Sequence, residues 1–120
     1  MHNIETALRL RIFLGEDDKY MGRPLYEEIV VQAQQSGIAG ATVFRGYIGY
    51  GHASGLHMGK ILHSSRDAPV AVEILDSEAK VNAFLDVLDQ LLSGGVVTVE
   101  KVQLLRYSKK PKARGPAAAS

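Results

Sequence analysis

Hydrophobic and polar residues alternate near the start of the chain, where leucine and isoleucine are separated by arginines in residues 6–14. A period of two residues is typical of a β-strand that buries one face. Residues 96–107 begin with the same alternation, and residues 70–75 form a short apolar run. We therefore predict three strands in these segments, with the strand at 70–75 lying centrally in a sheet.

After a polar loop at residues 15–23, apolar residues recur every three to four positions. This spacing indicates a first helix. Pro24 suits the first turn of this helix, and Gly37 suits its left-handed end. Glu28 falls on the side that we expect to face water. The apolar row of the helix consists of Leu25, Ile29 and Ala33.

A second helix is predicted from a similar apolar face. Asp76 or Ser77 can cap its start, because short polar side chains accept hydrogen bonds from the first helical amides. Gly94 and Gly95 close the helix. Its apolar face consists of Val81, Phe84, Leu85, Leu88, Leu91 and Leu92. We expect Phe84, together with Phe13 and Phe44, to belong to the core.

The segment between the first helix and the strand at 70–75 has two parts. Residues 38–50 have an extended pattern, and five glycines lie between residues 46 and 59. Glycine clusters favour loops, so we expect a mobile glycine-rich loop at about residues 46–68. The element order strand, helix, strand, strand, helix, strand predicts an α+β fold. This is the ferredoxin-like βαββαβ sandwich, a four-stranded antiparallel sheet with two helices on one face.

Composition fits a single domain that spans residues 1–107. The chain has 120 residues, of which 46% are hydrophobic and 22% are charged, as in ordinary globular proteins. Residues 108–120 are basic and carry no apolar anchor, so we predict a disordered tail. A net charge of +1 gives no reason to expect nucleic acid as a partner.

The sequence contains no cysteine, which excludes disulfides, thiolate nucleophiles and cysteine-ligated metals. No apolar run is long enough for a membrane helix, and the first residues lack a signal-peptide pattern, so we expect a cytoplasmic protein. Nothing in the residue pattern predicts catalysis, and we expect that the protein is not an enzyme.

Two clusters of polar residues are candidates for binding. The histidines at positions 52, 57 and 63 match no standard metal motif, and we predict no metal site there. The acidic loop at residues 16–18 could hold a hard cation, although a charged turn between strand and helix explains it more simply.

The glycines at positions 46, 49 and 51 leave two interpretations open. Small residues let backbone amides approach an anion such as phosphate. The same pattern equally fits a flexible hairpin between two strands, since no helix follows it.

Taken together, several segments resemble the PII-like signalling proteins, most closely their small uncharacterised branch, a domain of unknown function. They extend over about residues 7–107. The matching segments are GEDDKY at residues 15–20, PLYE at 24–27, GIAGATV at 37–43, RG at 45–46, GYG at 49–51, PVAVEI at 69–74 and VEKV at 99–102.

The resemblance implies a homotrimer with inward-facing sheets and a cleft between each pair of neighbouring subunits. PII signal proteins bind adenine nucleotides in these clefts and dock a mobile loop on a target enzyme or transporter. By the resemblance, Gly49, Tyr50 and Gly51 match the base of that loop. Gly94 and Gly95 match the start of a second phosphate-contacting loop, and Arg106 falls near a basic position on the last strand.

Our first hypothesis is therefore a non-enzymatic trimeric regulator. It binds a small anionic effector, an adenine nucleotide, and signals to a protein partner such as a membrane transporter or channel. Backbone amides at Gly49–Gly51 would hold phosphate, and charge would come from His52, His57, Lys60 or Arg106.

Three other hypotheses remain open at this point. The alternative function is a metal-responsive trimer, similar to the copper-tolerance proteins of the same fold, that depends on His52 and His57. The others are a small enzyme of the dimeric-barrel type and a scaffolding trimer without a ligand.

Overall fold

A computed structural model describes residues 1–51 and 59–109 of the chain. The predictions for His52 and His57, for the centre of the glycine-rich loop and for most of the basic tail lie outside these residues. The elements are β1 (His2–Gly15), β2 (Lys19–Tyr20), β3 (Arg23–Pro24), α1 (Leu25–Gln35), β4 (Gly40–Arg45), β5 (Ile48–Gly49), β6 (Leu62–His63), β7 (Pro69–Ser77), α2 (Glu78–Leu91) and β8 (Val96–Tyr107).

The main sheet has the strand order β4-β7-β1-β8, and every neighbouring pair is antiparallel. Strands β1, β4, β7 and β8 alternate with the two helices in the order βαββαβ. The predicted ferredoxin-like α+β fold is therefore confirmed. As predicted, β7 lies inside the sheet, between β4 and β1.

The core lies between one face of the sheet and both helices. Even-numbered residues of β1 and β7 point towards the helices because side chains alternate along a strand. The buried cluster includes Leu8, Leu10, Ile12 and Leu14 of β1, Val70, Val72 and Ile74 of β7, Leu25, Ile29 and Ala33 of α1, and Val81, Phe84, Leu88 and Leu91 of α2. Both helical faces are thus as predicted, and Phe84 is only 1% exposed.

Two of the three phenylalanines are not in this core, contrary to the prediction. Phe13 is 40% exposed and Phe44 is 51% exposed. Both occupy strand positions that alternate with the helix-facing residues, so they project from the opposite face of the sheet. We call this the open face. It also carries cross-strand ion pairs, in which Arg11 contacts Glu73 at 2.9 Å and Arg9 contacts Glu100.

The predicted strand at 38–50 is wrong in its extent, because it is divided into β4 and the short β5. The chain leaves the sheet after Arg45. The Gly46 N–H donates to the Pro69 carbonyl at 2.7 Å, and a Cβ on Gly46 would stand only 2.9 Å from Pro69 Cγ. This close approach ends β4 and directs the chain into a small hairpin of β5 and β6.

The polar loop at 15–23 also contains regular structure, since β2 and β3 form a hairpin there. Glu28 on α1 is buried instead of facing water. Its carboxylate pairs with Arg23 at 3.1 Å and accepts a hydrogen bond from Gln32 at 2.9 Å. Burial of this charge is compensated because both partners donate to it.

The predicted helix ends at Ser77 and Gly37 are confirmed, whereas Pro24 lies in β3 directly before α1, and α2 ends at Leu91, before Gly94 and Gly95. The Ser77 hydroxyl accepts the Lys80 N–H at 3.3 Å at the start of α2. Gly37 has a φ of 80° after α1, and Gly95 has a φ of 113° between α2 and β8. Side chains other than glycine rarely adopt these angles, so both positions favour glycine. In residues 1–51 and 59–109, no helix is long and apolar enough to cross a membrane.

Candidate functional site

A cavity of about 470 Å³ lies at the end of the sheet where the glycine-rich segment leaves it. Such a volume falls in the range of small-molecule sites. Three strands of the main sheet and the β5–β6 hairpin contribute to its walls. The lining residues are Phe13, Leu14, Gly49, Tyr50, Gly51, Leu62, Pro69, Val70 and Val96.

The register of the paired strands places the cavity-lining residues of the main sheet next to one another. Phe13 on β1 is opposite Val96 on β8, and Leu14 is opposite Val70 on β7. Pro69 stands at the start of β7, opposite Gly15. Phe13 and Val96 lie on the open face, where directly paired side chains are within van der Waals range, whereas Leu14 and Val70 face the helices. Together they make this end of the sheet an apolar floor.

The remaining wall comes from the hairpin, in which Gly49 is opposite Leu62. A Cβ on Gly49 would stand 3.4 Å from Pro69 Cγ, and a Cβ on Gly51 would meet no atom of the described residues within 4 Å. Because neither residue has a side chain, a ligand can approach the backbone closely. Tyr50 between them is largely exposed and presents an aromatic ring at the edge of the cavity.

A second cavity of about 390 Å³, which we call the polar cavity, has five ionisable residues among the seven that line it. Leu62 lines both cavities and is buried between them. The polar cavity therefore presents charges beside an apolar one, an arrangement that suits a ligand with an apolar ring and charged groups. Its lining residues are Asp17, Lys60, Ile61, Leu62, His63, Arg66 and Asp67.

The base of the hairpin is fixed by an ion pair between Arg45 and Glu16. Arg45 Nη2 lies 2.9 Å from Glu16 Oε1, and Arg45 Nε lies 3.2 Å from Oε2. These hydrogen bonds hold the pKa of Glu16 below its ordinary value of 4.5, and the bond from the Ala68 N–H adds to the effect. The same contact raises the pKa of Arg45.

The structure brings some of the predicted site residues together and separates others. Gly49, Tyr50 and Gly51 form one wall of the larger cavity. Gly94 and Gly95 lie in the turn that leads directly to Val96 of that cavity.

Arg106 lies at the other end of β8, ten residues beyond Val96, which is roughly 33 Å along a strand. Its guanidinium contacts Glu5 at 2.7 Å and Asp76 at 3.3 Å. Within one chain, Arg106 is therefore remote from the cavity. His52 and His57 lie outside the described residues.

The acidic loop at residues 16–18 is a hydrogen-bonded turn. Glu16 binds Arg45, Asp18 Oδ2 accepts the Gly15 N–H at 3.0 Å, and the Asp17 N–H donates to Asp67 at 2.7 Å. Among residues 1–51 and 59–109, no group of three metal-ligating side chains is close enough to hold a metal ion. The metal hypothesis rests on His52 and His57 and stays a prediction.

Sequence analysis missed most of the cavity wall. Phe13, Leu62, Pro69 and Val96 come from four separate segments, and no local pattern connects them. One signal was available for Phe13, because its odd-numbered position in β1 alternates with the buried Ile12 and Leu14. The pairing of Arg45 with Glu16 across 29 residues had no local signal.

Comparison with known proteins identifies a family to which the chain is similar over most of its length. Residues 7–104 match the model of the DUF190 family, described as Uncharacterized ACR. The chain is 36% identical over 96 residues to a UPF0166 protein of Aquifex aeolicus, covering 80% of this chain and 90% of that protein. It is 34% identical over 91 residues to a UPF0166 protein of Methanocaldococcus jannaschii, covering 75% and 83%.

Similar solved structures include CPII, a nitrogen regulatory PII-like protein from Thiomonas intermedia K12. The form bound to ADP, AMP and bicarbonate has a TM-score of 0.58 and 19% identity, covering 85% of this chain and 91% of CPII. The apo form has a TM-score of 0.53 and 22% identity, covering 89% and 100%. At this identity the likeness shows a shared fold, and it confirms the PII-like architecture.

Proposed function

The chain belongs to the DUF190 family and has a PII-like fold, and from this we propose that it is a non-enzymatic regulatory protein that binds an adenine nucleotide. The nucleotide binds at the cavity beside Gly49–Gly51. Binding alters the glycine-rich segment, and that segment contacts a protein partner such as a membrane transporter or channel. The protein acts in the cytoplasm.

The observation that carries this proposal is the position and lining of the larger cavity. Its apolar floor accepts a planar base, and the exposed ring of Tyr50 can stack on it. The side-chain-free backbone at Gly49 and Gly51 lets phosphate approach closely. Three ADP-bound forms of CPII, which share the fold, support this choice of ligand.

The proposed protein is a homotrimer whose subunits meet through the open face. Phe13, Phe44 and Val96 expose apolar surface in the single chain, and monomers rarely leave such residues clustered. The charged residues of this face are already paired within the chain, which reduces the cost of burying them. In such a trimer, Arg106 takes part in a nucleotide site only if a neighbouring subunit supplies it.

The test is a substitution that fills the cavity without straining the backbone. Among residues 1–51 and 59–109, no atom lies within 4 Å of a Cβ at Gly51, so Gly51→Leu fits the described fold and occupies space at the cavity wall. We expect isothermal titration calorimetry to show ADP affinity reduced by at least about tenfold, the equivalent of about 1.4 kcal/mol.

Gly40→Leu is the matched control. Gly40 also has open space around it, at the start of β4 and outside the cavity. This variant should bind ADP like the wild type. Equal affinity in wild type and Gly51→Leu would show that the nucleotide does not use this cavity.

A further inference from the structure

The acidic loop at residues 16–18 has no part in the proposed binding of nucleotide, yet it joins several separate segments. The Glu16 N–H donates to the Ala68 carbonyl at 2.8 Å, and the Ala68 N–H returns a bond to Glu16 Oε1 at 3.2 Å. The Asp17 N–H donates to Asp67 Oδ1 at 2.7 Å. The Asp18 carbonyl accepts the Leu25 N–H at 2.8 Å at the start of α1.

Arg45 completes this arrangement from the end of β4. Besides its two bonds to Glu16, Nη2 donates to the Ser64 carbonyl at 2.7 Å. One guanidinium therefore connects the end of β1, the end of β4 and the segment that leads into β7. A planar group with several donors can bond a carboxylate and a carbonyl together, whereas an ammonium group cannot reproduce that geometry.

These contacts enclose the two stems of the glycine-rich segment, which we define as residues 45–47 and 63–68. Two further backbone bonds tie the stems in place, from Ser64 N–H to the Tyr47 carbonyl at 2.8 Å and from Gly46 N–H to the Pro69 carbonyl at 2.7 Å. Directly beyond the stems stand Gly49 and Leu62, which line the larger cavity, and Pro69 lines its other side.

We propose that Glu16 and Arg45 form a clamp that holds the two stems together and thereby positions the cavity wall at Gly49–Gly51. Glu16 and Arg45 are positioning residues and do not line either cavity. The expected effect of the clamp on ADP affinity rests on the proposed function. Its expected effect on the opening of the stems does not.

The clamp acts locally. Isolated ion pairs at partly exposed positions contribute little to global stability, and Arg45 is about half exposed. Its effect is expected on the local opening of the stems, a motion that needs less free energy than unfolding of the core. Amide hydrogen exchange separates these two processes, because it reports each backbone N–H individually.

The experiment compares Arg45→Met and Arg45→Lys with the control Lys101→Met. Lys101 is also exposed and also forms an ion pair with an exposed carboxylate, that of Glu78 on α2 at 3.7 Å, outside the stems. Amide exchange is measured by NMR at Gly46 and Ser64, and ADP affinity is measured on the same samples. Exchange at Leu10 in the core checks that each variant is folded.

In Arg45→Met, exchange at Gly46 and Ser64 should accelerate about tenfold, the effect of losing a charge-assisted contact, and ADP affinity should fall by a similar factor. Arg45→Lys should be intermediate, because its ammonium can pair with Glu16 without also reproducing the bond to Ser64. Lys101→Met should match the wild type in both measurements, because its ion pair with Glu78 is exposed and lies outside the stems.

The two proposals fail in different ways. Unchanged exchange at Gly46 and Ser64 in Arg45→Met would overturn the clamp, whether or not ADP binds. Faster exchange with wild-type ADP affinity would overturn its role in positioning the cavity wall. If the wild type does not bind ADP but Arg45→Met still accelerates exchange, the proposed function fails and the clamp on the stems is supported.

Discussion

Met21 and Gly22 form the turn of the β2–β3 hairpin, and both have positive φ angles, 50° and 82°. Two-residue hairpin turns of this kind favour Asn-Gly, because asparagine tolerates the left-handed region better than methionine does. The Met21 side chain is exposed and makes no core contact. We predict that Met21→Asn raises the free energy of unfolding by about 0.5–1 kcal/mol.

Urea denaturation at neutral pH measures this change. Ser36→Asn is a suitable control, since Ser36 is also exposed but has a negative φ angle of −82°. A Met21→Asn protein that is no more stable than the wild type would mean that the turn carries no strain that asparagine can relieve.

The lowered pKa of Glu16 predicts that the free energy of unfolding depends on pH. Its folded-state pKa lies below the ordinary 4.5, chiefly because of the hydrogen bonds from Arg45. A lowered folded-state pKa means that the carboxylate stabilises the native state at pH values above 4.5. This contribution is lost as the pH falls through the folded-state pKa.

The difference in unfolding free energy between wild type and Glu16→Gln should therefore shrink as the pH is lowered from 7 to about 3. Glu100 also has a lowered pKa, caused by Arg9, and is unchanged in both proteins, so it cancels in this comparison. A difference that stays constant over this pH range would show that the ionised Glu16 carboxylate does not stabilise the folded state.

The fates of individual side chains show what a local pattern can predict. Burial of Phe84 followed from its place in a helical period that includes Val81 and Leu88. Phe13 and Phe44 were placed in the core from hydrophobicity alone, although Phe13 alternates with the buried Ile12 and Leu14. On a sheet covered on one side only, the period of two decides the direction of a side chain.

At the level of elements, the close packing of Gly46 on Pro69 separates β4 from β5. A Cβ on Gly46 would lie 2.9 Å from Pro69 Cγ and 3.2 Å from the Pro69 carbonyl oxygen, so backbone or ring must shift. We predict that Gly46→Ala lowers the free energy of unfolding by about 1–3 kcal/mol, as in other overpacked sites.

Gly51→Ala is the control for this prediction, because a Cβ there has open space. Thermal or urea denaturation of both variants gives the comparison. Equal stability of Gly46→Ala and Gly51→Ala would show that the contact with Pro69 does not constrain the chain.

The long helices and strands were predictable because hydrophobic residues recur along each of them with the period of a helix or of a strand. Helices α1 and α2 and strands β1 and β7 each bury one face, and β8 has an alternating start although none of its residues is buried. The two-residue strands of both small hairpins were not predictable, since two residues hold no period. The end of β4 depends on Pro69, which lies 23 residues after Gly46, so the local sequence could not indicate it.

The candidate site was predictable only in part for the same reason. Resemblance to a family directed attention to Gly49–Gly51, and these residues line the larger cavity. Its floor is assembled by the register of β1, β7 and β8, and its base is fixed by the contact of Arg45 with Glu16. Both are non-local consequences of folding, which a single sequence does not display.

At the level of the whole molecule, the open face is the surface that the proposed assembly would cover. The helices cover one face of the sheet, while the open face exposes apolar residues and internally paired charges. In the trimer that we propose, this face and the cavity beside Gly49–Gly51 would lie between subunits. The proposed nucleotide binding and the proposed assembly therefore depend on the same geometry.

Native mass spectrometry of the protein alone and with ADP, AMP or ATP tests this claim most directly. Three chains of 13.0 kDa make a complex of about 39 kDa, and we predict that it gains up to three nucleotide masses. A monomer or a dimer would contradict the trimeric assembly. A trimer that binds none of these nucleotides would contradict the proposed function.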